Sequence, residues 1–308
     1  MKKTFTIFAP ATIANLGSGF DLLGLAIDGI GDKLTFIQRD NPGVTITKIE
    51  GFELSYENDK NIVGYVAEMM LKDANADFGV DLKLFKGIKP GSGIGSSAAS
   101  SVATAYGINK LLGGMFNNTK LLEYAMEGEL LVSGGKFADN VAPCLLGGMV
   151  LINDYEPLSY MQLPVPENMF TVVLHPQIEI KTSEAREILP FQVDMKDAIK
   201  QAKNLGTLIA GLYTQDLSKI TKGLEDRLAT PYRSKLIPYF DELKQIGLDH
   251  NAIGSGISGS GPSVFYLCSD KNNADEVEKA VLDFYKTKDI EFKIYNSPVA
   301  RIGAREIT

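Results

Sequence analysis

Residues 90–100 read PGSGIGSSAAS. Glycine alternates with small residues through Gly95, and the chain then turns to serine and alanine, the composition of a helix start. Glycine lets a backbone come close to a ligand. The first N–H groups of a helix have no intrahelical partners and lie at the positive end of its dipole. A glycine-rich turn running into a helix is therefore suited to an anion, and phosphate is its natural occupant. Ser96 and Ser97 are placed to cap that helix and to add hydroxyls. Neither familiar fingerprint fits: the Walker pattern needs a lysine after Gly95, and G-x-G-x-x-G needs a glycine where Ser96 stands. A small-residue loop on its own also serves as a structural turn, so the rest of the chain has to decide.

Other chemistry-bearing types are sparse. Cys144 lies in the apolar run VAPCLLGG and Cys268 ends SVFYLC; neither is in a C-x-x-C pair, and His175 and His250 are the two histidines. This argues against a cysteine/histidine metal site and reads both thiols as buried, reduced packing residues. A formal net charge of −7 over 308 residues argues against a general affinity for nucleic acid or anionic membrane. No run of ~18 apolar residues suggests a membrane span. The start, MKKTFTIFAPATIANLG, is basic, but threonines and Pro10 break its apolar run, so a signal peptide is not expected and the cytoplasm is.

The elements that must position the loop follow from periodicity. KTFTIF, DKLTFIQRD, VTITKIE and VDLKLF alternate as strands, the last delivering the chain to the loop. Ile62, Val66, Met69 and Met70 space a helix over 61–72. Val102, Ala105, Ile108 and Leu112 space an amphipathic helix behind the loop, ended by Gly113 and Gly114, and Leu121, Leu122, Ala125 and Leu130 space a third. ATIANLGSGFDLLG, GGKFADNVAP and PQIEIKTSEAREILP read as loops. LLGGMVLIND and FTVVLH read as strands, 194–248 as helical material, AIGSGIS and SVFYL as strands, 273–288 as a charged helix, and IEFKIYNS and VARIGARE as closing strands. Three prolines in 153–168 suggest a boundary near 160, giving units 1–160 and 161–308. The class is α+β rather than a regular βαβ alternation.

PGSGIGSSA (90–98) resembles the phosphate loop of the GHMP small-molecule kinases, the family of galactokinase, homoserine kinase and mevalonate kinase. SGISGSGPSVFYL (255–267) resembles that family's third motif, a glycine-rich loop that meets the phosphate loop. APATIANLGSGFDLLGLAID (9–28) resembles the first motif, and its ANLGSGFD is similar to the homoserine kinases rather than to the GEH-like ending of galactokinases and mevalonate kinases. SGGKFADNVAPCLLGG (133–148), TSEAREILP (182–190) and PYRSKLIP (231–238) are also similar to homoserine-kinase segments. The matches run in order from residue 9 to about 267.

The resemblance implies a two-domain α+β GHMP kinase fold, with a ribosomal-S5-domain-2-like N-terminal half, a ferredoxin-like C-terminal half and ATP between them. The implied reaction moves the ATP γ-phosphoryl group, with Mg²⁺, to the side-chain hydroxyl of L-homoserine, a step of threonine biosynthesis. The implied phosphate residues are Pro90, Gly91, Ser92, Gly93, Ile94, Gly95, Ser96, Ser97 and Ala98, with Asn61 near the adenine. Capping alone would also explain Asn61. Ser97 and Glu129 are the implied Mg²⁺ ligands. Asn15, Asp21, Asp139, Asn140, Arg186 and Arg233 are the implied substrate residues, the two arginines clamping a carboxylate. Asp139 is the implied catalytic residue. An ordinary Asp is a weak base near neutral pH, so orienting the hydroxyl is favoured over taking its proton. One departure stands out: the common HADN is here FADN, and Phe137 can neither hydrogen-bond nor titrate through its side chain. Homodimers are common among the relatives. Two other readings stay open: a GHMP kinase for a different small alcohol, with other clamps, and a non-catalytic nucleotide- or RNA-binding module, which the net charge counts against. No nucleic-acid or membrane partner is expected.

Overall fold

The computed structural model describes residues 2–308. The N-terminal half runs β1 (Thr4–Ala14), β2 (Leu23–Arg39), β3 (Gly43–Glu50), α1 (Ile62–Asp73), β4 (Gly79–Phe85), α2 (Ser96–Leu111), α3 (Asn118–Ser133), α4 (Ala138–Leu146), β5 (Met149–Tyr155) and β6 (Leu158–Leu163). The C-terminal half runs β7 (Phe170–Pro176), α5 (Thr182–Glu187), α6 (Met195–Thr214), α7 (Leu217–Gly223), α8 (Thr230–Arg233), α9 (Phe240–Asp249), β8 (Gly254–Ile257), β9 (Val264–Cys268), α10 (Lys271–Tyr285), β10 (Phe292–Pro298) and β11 (Arg305–Ile307).

The first sheet has the order β11-β1-β2-β4-β3, with β5 also on β2 and β6 on β5. Among the described residues only β3 and β4 pair in parallel. The second sheet has the order β10-β7-β9-β8, antiparallel throughout. Numbered within that half it is 4-1-3-2 around a β8–β9 hairpin, the expected ferredoxin-like arrangement. Among the described residues no helix is long and apolar enough to cross a membrane.

Several elements differ from the sequence reading, each for a local reason. β1 runs on to Ala14 instead of stopping near residue 8. Pro10 has no N–H for the ladder, and the register shifts between Pro10 and Ala11, so that Pro10 faces Gly31 while Ala11 faces Ile27. The stretch around residue 160 is β6, an antiparallel partner of β5 set between Pro157 and Pro164. A cut at 160 would fall inside it. The chain leaves the first sheet after Leu163, and β11 returns to pair with β1. Of VARIGARE only the end is strand. GGKFADNVAP is a loop only as far as Phe137; α4 begins at Ala138. Pro143 hides that helix because it cannot donate to the Asp139 carbonyl. That carbonyl packs instead on Gly24 of β2, where a Cβ would stand 1.6 Å from it. PQIEIKTSEAREILP contains the short α5.

α2 is not amphipathic as expected. It is buried on nearly every face. Alanine, serine and glycine let neighbours close in all round, as at Gly107, where the Phe36 ring takes the space of a side chain. Two of its buried hydroxyls are satisfied on backbone carbonyls, Ser101 on Ala125 at 2.6 Å and Thr104 on Ser100 at 2.8 Å. The helix behind the loop is thus a fixed central post.

Candidate active site

The loop between β4 and α2 has left-handed glycines at Gly91, Gly93 and Gly95, with φ of 71°, 79° and 70°. At Gly93 a Cβ would lie 2.5 Å from the Gly261 carbonyl oxygen. That approach belongs to the 255–263 loop, which meets this one as the motif resemblance implied. Ser258 Oγ donates to Gly93 O at 2.7 Å and Ser263 Oγ to Ser92 O at 2.6 Å. Neither Ser96 nor Ser97 caps α2. Gly95 is the N-cap, with no side-chain cap bond, and Ser96 Oγ donates to Ile88 O at 2.9 Å. The helix start therefore keeps its backbone donors for a ligand.

Beneath the loop sits a residue that the sequence reading missed. Lys86 is buried, and its Nζ donates to Asp32 Oδ2, to Ser96 O and to Ser100 Oγ. Asp32 in turn accepts from the Gly87 and Ile88 N–H groups at 3.0 and 3.2 Å and from Ser100 Oγ at 2.6 Å. All three ammonium protons are thus committed, and the ion pair ties β2, the end of β4 and the first turn of α2 together. The signal was in the sequence: Val80, Leu82 and Leu84 are the inward positions of β4, and Lys86 takes the next one. A charge on an inward strand position needs a partner.

On the other side, side chains do the work. Asn15 and Asp21 lie in the β1–β2 loop with φ of 72° and 58°. Asn15 Oδ1 accepts from the Asp21 N–H at 3.0 Å, and its Nδ2 donates to Gly259 O at 2.8 Å. Arg186 on α5 crosses to Asp21 in a bidentate pair, 3.1 and 2.9 Å. Its guanidinium carbon lies over the Phe137 ring, 4.0 Å from the centroid. Arg233 is buried; Nε donates to Ala185 O at 2.8 Å and Nη1 to Gly259 O at 3.1 Å, while Phe20 lies 5.1 Å from its guanidinium carbon. Thr12 Oγ1 donates to Asn140 Oδ1 at 2.6 Å, which fixes which end of that amide accepts.

These groups face one cavity of about 550 Å³. Asn15, Asp21, Asn61, Ser97, Glu129, Asp139, Asn140, Arg186 and Arg233 line it, as do Lys86, Phe137 and the phosphate loop from Pro90 to Ser97 except Ile94. Ile94 and Ala98 have their side chains in the core, so only their backbone can serve a ligand. Asn61 caps α1, accepting from the Val63 N–H at 3.1 Å, and also faces the cavity. The Asp139 carboxyl is pushed up to about 7, first by burial and then by the nearby Asp21 and Glu129 carboxylates. Asp139 is therefore a stronger base than an ordinary aspartate.

Profiles of the GHMP kinase N-terminal and C-terminal domains match residues 61–148 and 195–287. A homoserine kinase of Chlorobium phaeobacteroides is 38% identical, the alignment covering 99% of this chain and 100% of that one. The chain belongs to the GHMP kinase family. A homoserine kinase of Pyrococcus abyssi is 37% identical over 99% of both chains. The crystal structure of a homoserine kinase from Cytophaga hutchinsonii superposes with a TM-score of 0.96 at 42% identity, covering 100% of this chain and 98% of that one. As a GHMP kinase the protein takes ATP as co-substrate. Lys86, beneath the glycine-rich loop, is committed to Asp32, Ser96 and Ser100 and offers the cavity no spare ammonium proton. Ser97 and Glu129 offer one hydroxyl and one carboxylate to the shared cavity, an oxygen-only donor set that fits a hard cation retaining waters and phosphate oxygens.

Proposed function

We propose that this GHMP kinase phosphorylates the side-chain hydroxyl of L-homoserine in the cytoplasm, giving O-phospho-L-homoserine for threonine biosynthesis. One observation carries the choice of substrate: the Asp21–Arg186 pair and Arg233 share a cavity with the backbone anion cradle. A zwitterionic amino acid needs an anion for its ammonium and a guanidinium fork for its carboxylate, and that wall offers both.

In this reading the loop from Pro90 to Ala98 holds the nucleotide phosphates through backbone N–H groups, and Asn61 borders the adenine end. Ser97 and Glu129 would hold Mg²⁺, which when bound neutralises charge on the β- and γ-phosphate oxygens. Arg186 and Arg233 hold the substrate carboxylate, and Asn15 and Asn140 complete the polar wall. Asp139 lines the same cavity and would meet the substrate hydroxyl. With its carboxyl near 7 it is matched to accept a proton at neutral pH. The hydroxyl oxygen bonds to the γ-phosphorus, the bond to the ADP oxygen breaks, and the hydroxyl proton passes to Asp139.

The test is ADP release with Mg-ATP and L-homoserine, beside L-serine, L-threonine, mevalonate and a no-substrate control. Strong turnover that depends on homoserine is expected. Turnover with mevalonate instead would keep the kinase and discard the substrate; no turnover with any of them would overturn the reading.

A further inference from the structure

Phe137 occupies an unusual post. It is the residue before α4 and stands two positions ahead of Asp139. Its ring is held on one side by the backbone of Gly135, where a Cβ would lie 2.5 Å from the ring atoms. Arg186 lies over it, with the guanidinium carbon 4.0 Å from the centroid. The same guanidinium spends one proton of Nη1 and one of Nη2 on Asp21. Its Nε is buried and has no hydrogen-bond partner. Arg186 lines the cavity, and the second protons of its two terminal nitrogens can take carboxylate oxygens without releasing Asp21.

We infer that the Phe137 ring is the platform that holds Arg186 at a fixed distance from Asp139, so that Phe137 determines how well an amino acid of homoserine length is gripped. The inference rests on the reading of the substrate given above. A guanidinium is weakly hydrated on its faces and stacks on aromatic rings, whereas its edges donate. Stacking therefore leaves the donor edge aimed and removes the freedom of a long side chain. The carboxylate end of the substrate is fixed by Arg186 and the hydroxyl end by Asp139. Because Phe137 touches the first and leads by backbone to the second, it sets the span between them. A shorter hydroxy amino acid, such as serine, cannot satisfy both ends. Phe137 is a positioning residue, acting on the substrate through Arg186.

Steady-state kinetics of Phe137→Leu, Phe137→Met and Phe137→Tyr test this, with Phe137→Leu also made in an Arg186→Ala background. Leucine and methionine keep apolar bulk without a ring. Each should raise the homoserine KM by roughly 3- to 30-fold, the range of a partly desolvated cation–π contact. The KM for ATP should not move, kcat should stay within about threefold, and the preference for homoserine over serine should narrow. Tyrosine keeps the face and should restore the parent KM. Once Arg186 is alanine, Phe137→Leu should add nothing. The inference is overturned if leucine or methionine binds homoserine as well as phenylalanine does, if the ATP KM moves in step, or if the two losses multiply in the double variant. A parent enzyme that ignores homoserine would instead sink the functional reading and this inference with it, whereas an active parent with indifferent variants sinks this inference alone.

Discussion

The two walls of the cavity are built on opposite principles. The wall proposed for the phosphates is backbone: three left-handed glycines, an uncapped helix start, and serine hydroxyls bonded to neighbouring carbonyls. The wall facing it is side chain: two guanidiniums, two acids and the Phe137 ring, assembled from the β1–β2 loop, the start of α4, α5 and α8. A triphosphate carries many oxygens in similar places, and peptide N–H groups suit it without side-chain entropy to lose. An amino acid must be told from its homologues, which takes charge, fork geometry and distance. The first wall should be fragile to added atoms and the second to removed ones.

The largest effect is expected where the walls meet. Asp139→Ala should lower kcat by about 10²- to 10⁴-fold if the carboxylate takes the proton, with the ATP KM little changed. kcat/KM of the parent for homoserine should rise with pH through about 7, and that limb should vanish in Asp139→Asn. Stability gives an independent reading. The folded carboxyl keeps its proton up to about 7, while an unfolded Asp releases it near ~3.9. Between those values the folded state binds more protons, so the site's contribution to stability falls as pH rises and stays low above 7. Asp139→Asn should therefore gain thermal stability over the parent, more at pH 8 than at pH 5. A flat pH–rate profile together with equal melting curves would return Asp139 to a purely orienting role.

Next comes the backbone wall. Gly93→Ala places a methyl group 2.5 Å from Gly261 O at a φ of 79°. Left-handed geometry alone costs about 1–2 kcal/mol, and the clash adds to it, so kcat/KM for ATP should fall by roughly 100-fold. The homoserine KM should rise less than that for ATP, the displaced loop reaching the amino-acid side only through Gly259 O, which accepts from Asn15 and Arg233. Equal loss in both substrates would mean that the walls are one mechanical unit and that the contrast is false.

The contrast also decides what could be read from the sequence. The phosphate wall was legible because it is local. PGSGIGSS is contiguous, its glycines announce themselves, and VDLKLF before it and Val102, Ala105 and Ile108 behind it fixed strand, turn and helix. The facing wall is non-local. Arg186 and Asp21 are 165 positions apart, and no periodicity joins them; only the motif resemblance brought them together. What the sequence hid was tertiary in origin. α4 depends on Gly24 yielding space to the Asp139 carbonyl and β6 on pairing that overrides its flanking prolines; for Lys86 the inward position was legible, but its partner Asp32, on another strand, was not. The raised Asp139 carboxyl follows from burial, which a string of residues does not show.

Arg186→Lys sharpens the side-chain wall. The charge survives, but the fork and the stacking plane do not. The homoserine KM should rise by about tenfold or somewhat more, as for loss of one well-formed charge-assisted pair, with the ATP KM unchanged. A lysine that serves as well as arginine would show that charge alone holds the carboxylate and that the second wall is less particular than its geometry suggests.

The smallest effect tests an exception. Asn61 lies on the side proposed for the nucleotide, yet it works through its side chain, accepting from Val63 N–H at 3.1 Å and donating to Ser55 O at 2.6 Å. Asn61→Ser preserves a capping oxygen, so the melting temperature should hold, whereas Asn61→Ala should lose about 1 kcal/mol of stability. If the residue is only a cap, both variants keep the parent KM for ATP to within about twofold, and the nucleotide wall remains a wall of backbone. If serine keeps the stability but raises that KM about three- to tenfold, the side-chain amide reads the adenine. The division between the walls would then fall inside the nucleotide itself, with phosphates held by backbone and base by side chain.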